Sequence, residues 1–170
     1  MSNVLEFLKK SWVLIVIGLG AFLVSCSSDS VSRDSSGNLI SAGYIELNQI
    51  RVGDCIDESP VTNPDERVTV YDFWATPCSE EHSLEVYHIY DLSNIYRSYP
   101  GQNIIDEEGS EVCYTNFFDF VGTTYEESIY EINFYFPYAE NWIEGNTKII
   151  CLLYDPSKKA SIGSKRNSRR

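Results

Sequence analysis

Cysteine and histidine are the residue types whose spacing first suggests chemistry in this chain. Three residues separate Cys78 from His82, and Cys55 precedes both. Zinc sites use cysteine and histidine ligands at short spacings, so a metal site is one interpretation. Thiol–disulfide exchange would call for a Cys-x-x-Cys pair, whereas at least 22 residues separate any two cysteines here. Redox catalysis is therefore not expected, and the metal interpretation depends on whether the thiols are reduced.

Carboxylates offer a second kind of chemistry, because glycoside hydrolysis needs two carboxyl groups at a set separation. Two stretches supply candidates: Glu80, Glu81, Glu85, Asp106, Glu107 and Glu108. With 22 acidic residues between positions 44 and 155, such pairs also arise by chance. No Ser–His–Asp pattern and no glycine-rich phosphate loop accompanies them. A solvated acidic surface is the favoured interpretation, and a small hydrolase of wall glycan or peptide is the alternative.

The N-terminus indicates export. Lys9 and Lys10 precede an uncharged apolar run of 13 residues from Trp12 to Val24. This length suits the apolar region of a secretory signal, which takes about 7–15 residues, and is short of the roughly 20 that a spanning helix needs. An uncleaved signal anchor, in which the following cysteine has no role, is the alternative.

The apolar run ends in Leu23-Val24-Ser25-Cys26, which resembles the lipobox of bacterial lipoproteins. The resemblance implies that residues 1–25 are removed and that the Cys26 thiol receives a diacylglycerol, with its new amine open to acylation by a chain such as palmitate. Two or three acyl chains hold a protein stably on a bilayer, where one chain is marginal. We therefore expect the protein on the outer face of the cytoplasmic membrane, anchored by lipid.

Export also decides how the other four cysteines are interpreted. Exported cysteines are normally oxidised, and an even number in a small domain predicts a disulfide framework. The four allow three pairings, of which we favour Cys55–Cys78 with Cys113–Cys151 as a hypothesis. Each bridge would stabilise the fold by about 3–4 kcal/mol through the loop it closes. On the same ground we expect no metal and no cofactor, and His82 would orient the turn before a strand.

Charge and composition divide the mature chain into three parts. Residues 26–43 are a serine-rich tether, residues 44–155 are the folded domain and residues 156–170 are a basic tail. The domain carries 22 acidic against four basic side chains, and such a surface repels nucleic acid, so no nucleic-acid partner is expected. The tail carries six positive and no negative charges. We expect it to be disordered and solvated; contact with anionic lipid, wall polymer or its own domain is the alternative.

Alternating apolar residues predict strands over 44–52, 67–74, 84–90, 128–136 and 147–154. On the third strand, one face is expected to carry Leu84, Val86, His88 and Tyr90. Helical spacing of apolar residues after Ser110 predicts a helix that this serine caps and Gly122 ends. The fold prediction is a small α+β domain with a mostly antiparallel sheet, one principal helix and two disulfides.

Several motifs follow one another in a recognisable order: Val52-Gly53-Asp54-Cys55, Pro77-Cys78-Ser79-x-x-His82, Tyr99-Pro100-Gly101, Cys113, Pro137, Trp142, Gly145 and Cys151. In this order they resemble the septum-formation-related domain of actinobacterial envelope proteins, many of which are lipoproteins or membrane-anchored. The resemblance covers roughly residues 50–155. It implies an extracytoplasmic domain with a link to septation and no established catalytic residue. Gly53, Asp54, Pro77, His82, Trp142 and Gly145 are therefore motif positions without an assigned role.

These observations predict a lipid-anchored extracytoplasmic module that binds rather than catalyses. Its partner would be an envelope or division protein or a wall polymer, and its membrane contact would come from the lipid at Cys26. The acidic domain and its aromatic patches would supply the recognition surface.

Overall fold

The computed structural model of the chain describes residues 31–57 and 72–170. The predicted signal, Cys26, the start of the tether and positions 67–71 of the predicted second strand lie outside the described residues. Within the described ranges, no helix combines the length and the apolar character that crossing a bilayer requires.

In the part of the chain that the structure describes, six strands form a single antiparallel sheet, and a long helix packs against it. The strands lie side by side in the order β1-β3-β2-β4-β6-β5. Their bounds are β1 Gly43–Glu46, β2 Cys55–Asp57, β3 Asp72–Thr76, β4 Leu84–Asp91, β5 Glu131–Tyr135 and β6 Lys148–Tyr154. The helices are α1 Gln102–Val121 and α2 Ala139–Ile143, with 3-10 turns at Leu92–Asn94 and Tyr125–Glu127. The predicted fold class, an α+β domain with an antiparallel sheet and one principal helix, is confirmed.

Both faces of the sheet are covered. On one face α1 contributes to a core of Tyr87, Leu92, Ile105, Cys113, Phe117, Phe120, Val121, Tyr130, Ile149, Cys151 and Leu153. The opposite face holds a second core of Leu39, Ile45, Ile50, Ile56, Phe73, Ala75, Leu84, Val86, Ile150 and Leu152. Two-sided burial explains why β6 is apolar at every position from Ile149 to Leu153 instead of alternating.

The favoured disulfide pairing is confirmed. Cys55 at the start of β2 is joined to Cys78 after β3, and Cys113 in the middle of α1 is joined to Cys151 in β6. The first bridge fixes the loop between β3 and β4 to the neighbouring strand. The second fixes the helix to the sheet.

A bulge in β4 makes the predicted face of that strand wrong beyond Val86. The register against β6 shifts between Val86 and His88, so Tyr87 is the extra residue. Val86 belongs to the core opposite α1, whereas His88 pairs with Cys151 on the α1 side. Strict two-residue alternation cannot anticipate a residue that is inserted into the ladder.

The helix begins nine residues earlier than predicted, so Ser110 does not cap it. Gly101 occupies the N-cap, and Ser110 is an exposed residue inside the helix. The buried stripe runs through Ile105 and Gly109 before Cys113, and a glycine in that stripe interrupts the apolar pattern. The predicted C-terminal stop is confirmed, because Gly122 adopts the left-handed conformation and donates its N–H to Phe118 O at 2.8 Å.

Strand β1 is shorter than the pattern of residues 44–52 predicts. It ends at Glu46, where a turn bonds Gln49 N–H to Glu46 O at 2.9 Å. The short strand β2 after Gly53 then pairs with both β3 and β4.

Part of the predicted tether belongs to the fold. Leu39 is buried in the core opposite α1. Arg33 and Leu39 form an isolated antiparallel β-bridge. The Arg33 guanidinium donates to both oxygens of the Asp54 carboxylate, at 2.6 and 2.8 Å. The serine-rich composition of residues 26–43 does not indicate that Arg33 and Leu39 are bound to the domain.

Gly109 lets α1 approach the sheet closely. A Cβ at this position would lie 3.1 Å from Cε2 of Phe134 in β5 and 3.6 Å from Cδ1 of Ile149. We expect Gly109→Val to lower the free energy of unfolding by about 1–3 kcal/mol, because the extra carbons overpack the interface. Urea unfolding of Ser110→Val, which places the same side chain on the exposed neighbour, is the control and should change it by less than about 0.5 kcal/mol. Equal losses in both variants would contradict the close approach.

Candidate functional site

The loop between β3 and β4 places His82 inside the protein. The loop turns at Pro77, where Glu80 N–H bonds to Pro77 O at 2.8 Å, and Cys78 is held by its disulfide. His82 is completely buried, and its Nδ1 lies 2.9 Å from the carbonyl oxygen of Glu80. A carbonyl only accepts, so Nδ1 carries the proton and Nε2 of the neutral ring is an acceptor.

Lys165 supplies the donor for that nitrogen. Its Nζ lies 2.5 Å from Nε2 of His82 and 2.9 Å from the carbonyl oxygen of Gly163. Only 4% of Lys165 is exposed, although the sequence predicts a solvated tail at this position. The ammonium group is therefore an internal cation bound by the loop.

Glu85 completes the cluster from the adjacent strand. It lies in β4, is completely buried and pairs with Cys55 of β2 and Leu153 of β6. One carboxylate oxygen accepts from the Ser164 hydroxyl at 2.5 Å and the other from the Lys165 backbone N–H at 2.7 Å. Both oxygens of a buried acid are thus satisfied by the C-terminal segment.

Burial shifts the pKa values of these groups toward their neutral forms. Desolvation lowers the pKa of His82, and the charge of Lys165 lowers it further, so the ring is neutral near pH 7. Desolvation also lowers the pKa of Lys165, against the opposing charge of Glu85. Burial raises the pKa of Glu85, while the hydrogen bonds from Ser164 and Lys165 oppose that rise.

The segment that carries Lys165 lies across the domain, so the expectation of a disordered tail over residues 156–170 differs from the structure. We call residues 161–170 the C-terminal strap. Ser161 and His82 exchange backbone hydrogen bonds of 2.9 and 3.0 Å, and Gly163 N–H bonds to Cys78 O at 2.7 Å. The composition of this segment predicts disorder. It does not reveal that the domain contains a buried acid and a buried histidine that need hydrogen-bond partners from this segment.

The strap also reaches the far end of α1. Asn167 N–H donates to Phe120 O at 2.8 Å and Arg169 N–H to Val121 O at 2.9 Å. The Arg166 guanidinium lies over the Phe120 ring, 4.2 Å from its centroid. The final carbonyls of a helix lack partners within it and attract positive charge, so the strap satisfies this end of α1 chemically and electrostatically.

Two further motif residues position β2. Gly53 has a φ of +97° and donates its N–H to Val86 O at 2.7 Å. Asp54 is 3% exposed, and one of its oxygens also accepts from the Arg51 N–H at 2.8 Å. The hydrogen bond and charge of Asp54 raise the pKa of Arg33, so the guanidinium stays charged.

The remaining motif residues lie at the other end of the domain. Trp142 is in α2 and contacts Tyr99 edge-to-face, with ring centroids 6.0 Å apart. Gly145, with a φ of +86°, ends that helix by donating to Trp142 O at 3.1 Å. His82 and Pro77 therefore share the loop between β3 and β4, whereas Trp142 and Gly145 lie in and just after α2.

The carboxylates considered for hydrolysis are divided between two places. Glu80 accepts from the Thr76 hydroxyl, and Glu81 lines an open cleft of about 1120 Å³ together with Asp57. Asp106 and Glu108 lie on α1, where they accept from Gln102 and Tyr96 side chains. Glu107 is exposed on the same helix, and Glu85 is enclosed by the strap.

The cluster also contains the donor types of a metal site. Ligand atoms of Cys55, His82 and Glu85 lie within 4.8 Å of one another. The Cys55 sulfur, however, is bonded to Cys78, and metal binding requires a thiolate. The Lys165 ammonium already occupies the direction of the free His82 nitrogen. In this oxidised form the cluster holds a cation that the chain itself provides.

Sequence reasoning identifies His82 and misses Ser164, Lys165 and Arg33. Short serine-rich or basic segments are typical of solvated tails, so neither terminal segment signals a buried contact. The available signal is Glu85, an acidic residue in a strand with apolar neighbours on both sides. A buried carboxylate requires donors, and the basic C-terminus is the segment richest in them.

We expect the neutral, buried His82 to make the protein less stable in acid. Its folded pKa lies below the usual 6.5, so its stabilisation is present above that value and is lost as pH falls through 6.5. His82→Gln keeps an acceptor for Lys165 and does not titrate. The loss of unfolding free energy between pH 7.5 and 5.5 should be smaller in this variant by about 1 kcal/mol, as measured by urea unfolding.

Other groups titrate in the same range, so the comparison needs a control. Burial lowers the pKa of His88 as well, which gives the same sign, and the raised pKa of Glu85 acts in the opposite sense. His88→Gln is the matched variant. If His82→Gln retains the full acid dependence while His88→Gln loses it, a neutral His82 is contradicted.

Comparison with known proteins identifies the family of this domain. A family described as septum formation matches residues 42–151, well over half of the chain, so the predicted resemblance is confirmed. The match includes all four disulfide cysteines and His82 and ends before the C-terminal strap. No curated protein and no solved structure matches the chain. The description connects the chain with septum formation and thereby with the cell envelope, and the chain belongs to the septum-formation family.

Proposed function

We propose that this protein is a lipid-anchored envelope module that acts in septum formation by binding, without catalysis, a basic segment of another envelope or division protein. Membership of the septum-formation family supports the process. The single observation that carries the binding role is the outer face of α1.

The outer face of α1 exposes large apolar side chains in one line. Ile104, Tyr114 and Phe118 are 39%, 48% and 55% exposed. Spacings of ten and four residues place them on the same side of the helix. Aromatic side chains are enriched in the buried centres of protein interfaces, where they contribute much of the binding energy. One face of α1 packs in the core, and its opposite, exposed apolar face is available to a partner.

Charge selects the kind of partner. Glu107 and Glu111 are exposed along this same stripe, and residues 102–121 contain five acidic and no basic side chains. Complementary charge speeds association and excludes wrong partners. A basic protein segment with apolar side chains would match both the carboxylates and the aromatic rings.

The lipid anchor can be tested in live dividing cells with a fluorescently tagged, lipidation-competent chain. We expect the signal to follow the envelope and to be enriched at midcell. Cys26→Ser is the matched control, because it removes the thiol that lipidation requires, and it should lose its membrane fraction. An even peripheral ring would contradict the septal role while keeping the anchor. Unchanged membrane retention of Cys26→Ser would contradict lipidation.

The recognition face can be tested by photo-crosslinking from single positions. A photoreactive side chain in place of Phe118 should give discrete protein adducts in cells, and Tyr114→Ser with Ile104→Ser should reduce them at least tenfold. The same side chain in place of Ile143, which is 86% exposed on α2, is the control. Equal adduct patterns from both positions would contradict a specific interface, and adducts to wall polymer alone would contradict a protein partner.

A further inference from the structure

The C-terminal strap contacts the domain in the manner of a bound peptide. Its backbone exchanges two hydrogen bonds with His82 and donates one to Cys78 O. Ser164 and Lys165 place a hydroxyl, an N–H and an ammonium group against a buried carboxylate and imidazole. Backbone pairing combined with a pocket for a particular side chain is how extended peptides are recognised.

The surface beneath the strap needs an occupant. We call it the strap groove; it is formed by Cys78, His82, Glu85, Phe120 and Val121. Without a peptide, a buried carboxylate, an imidazole nitrogen and two helix-terminal carbonyls would lose hydrogen bonds that the strap now supplies. Buried polar groups that lose their hydrogen-bond partners destabilise the folded state. The groove is therefore specific for a donor-rich, cationic segment.

An exposed turn connects the strap to the sheet. After β6 ends at Tyr154, residues 156–160 are all exposed, and the turn is closed by a bond from Lys158 N–H to Asp155 O at 3.0 Å. The half-exposed Lys158 is also paired with the buried Asp155, with Nζ 3.6 Å from the carboxylate. A change in this turn redirects the strap without altering any contact in the groove.

We propose that the strap groove is a peptide-binding site for the Ser-Lys-Arg strap, and that the strap of a second copy of this chain can fill it in exchange. A second copy carries the same segment, so every contact described above re-forms between copies. Exchange of an identical element is a low-cost route to dimers because only the connecting turn changes. The site lies apart from the outer face of α1 and does not depend on the proposed partner or on the lipid.

The first experiment tests whether the strap is a separable ligand. A protease site replaces residues 157–159 in the full-length chain, which is folded and then cut, so that the strap remains held by its contacts alone. A fluorescent peptide with the sequence of residues 156–170 should displace it. The peptide with Lys165→Met should bind at least tenfold more weakly, whereas Lys159→Met, at an exposed position, should bind equally.

The outcomes are distinct. Failure of the natural peptide to bind the cut protein, with its circular dichroism unchanged, would overturn the groove as a peptide site. Equal binding of the Lys165→Met peptide would do the same. Loss of the folded spectrum on cutting would show that the strap is part of the fold rather than a ligand, and would also overturn it.

The second experiment tests whether a second copy of the chain supplies the strap. Two preparations of the intact chain, labelled at position 159 with donor and acceptor dyes, are mixed at rising concentration. We expect energy transfer to develop as dimers form, with excess strap peptide reducing it at least tenfold. Peptide binding in the first experiment without energy transfer in the second would overturn the second copy as the source of the strap.

Discussion

The arrangement of the strap on the domain depends on one buried carboxylate that requires hydrogen-bond donors. Glu85 lies in β4, near the middle of the sheet, with strands on both sides and no exposed surface. An isolated charge there would be costly, and its pKa rises accordingly. The strap supplies a hydroxyl and an N–H to Glu85 and, through Lys165, a cation to His82. The contacts of the strap therefore extend to the centre of the sheet and are not confined to its surface.

The two disulfides hold the parts that this arrangement requires. Cys55–Cys78 fixes the loop that carries His82, so the imidazole meets Lys165 in a set direction. Cys113–Cys151 fixes α1, whose terminal carbonyls receive the other end of the strap. Each bridge restricts the unfolded chain and also positions one half of the same groove. The covalent framework and the polar contacts are thus arranged around a common segment.

The fold could be predicted from sequence further than the site could. Alternating strands and the left-handed stop at Gly122 follow from local rules, and an even number of cysteines in a small domain indicates disulfides; the structure confirms the antiparallel sheet, the stop and both bridges. The bulge at Tyr87 and the helical turns before Ser110 break the periodicity on which such rules depend. The site was missed because its decisive contact joins positions 80 residues apart, Glu85 and Lys165. Nothing in a short basic segment indicates which distant group it will satisfy.

The anchoring of Arg33 has a geometric consequence for the lipid anchor proposed at Cys26. Its guanidinium is fixed to Asp54, and the chain from Val31 onward belongs to the described fold. If Cys26 carries the lipid, only four residues lie between it and Val31. At no more than about 3.6 Å per residue, they span less than about 20 Å. With the strap included, residues 31–170 carry 23 acidic and 11 basic side chains, a net charge of −12. Anionic headgroups would repel this domain wherever it comes within a Debye length of about 8 Å, which would favour orientations that turn the acidic helix α1 away from the membrane.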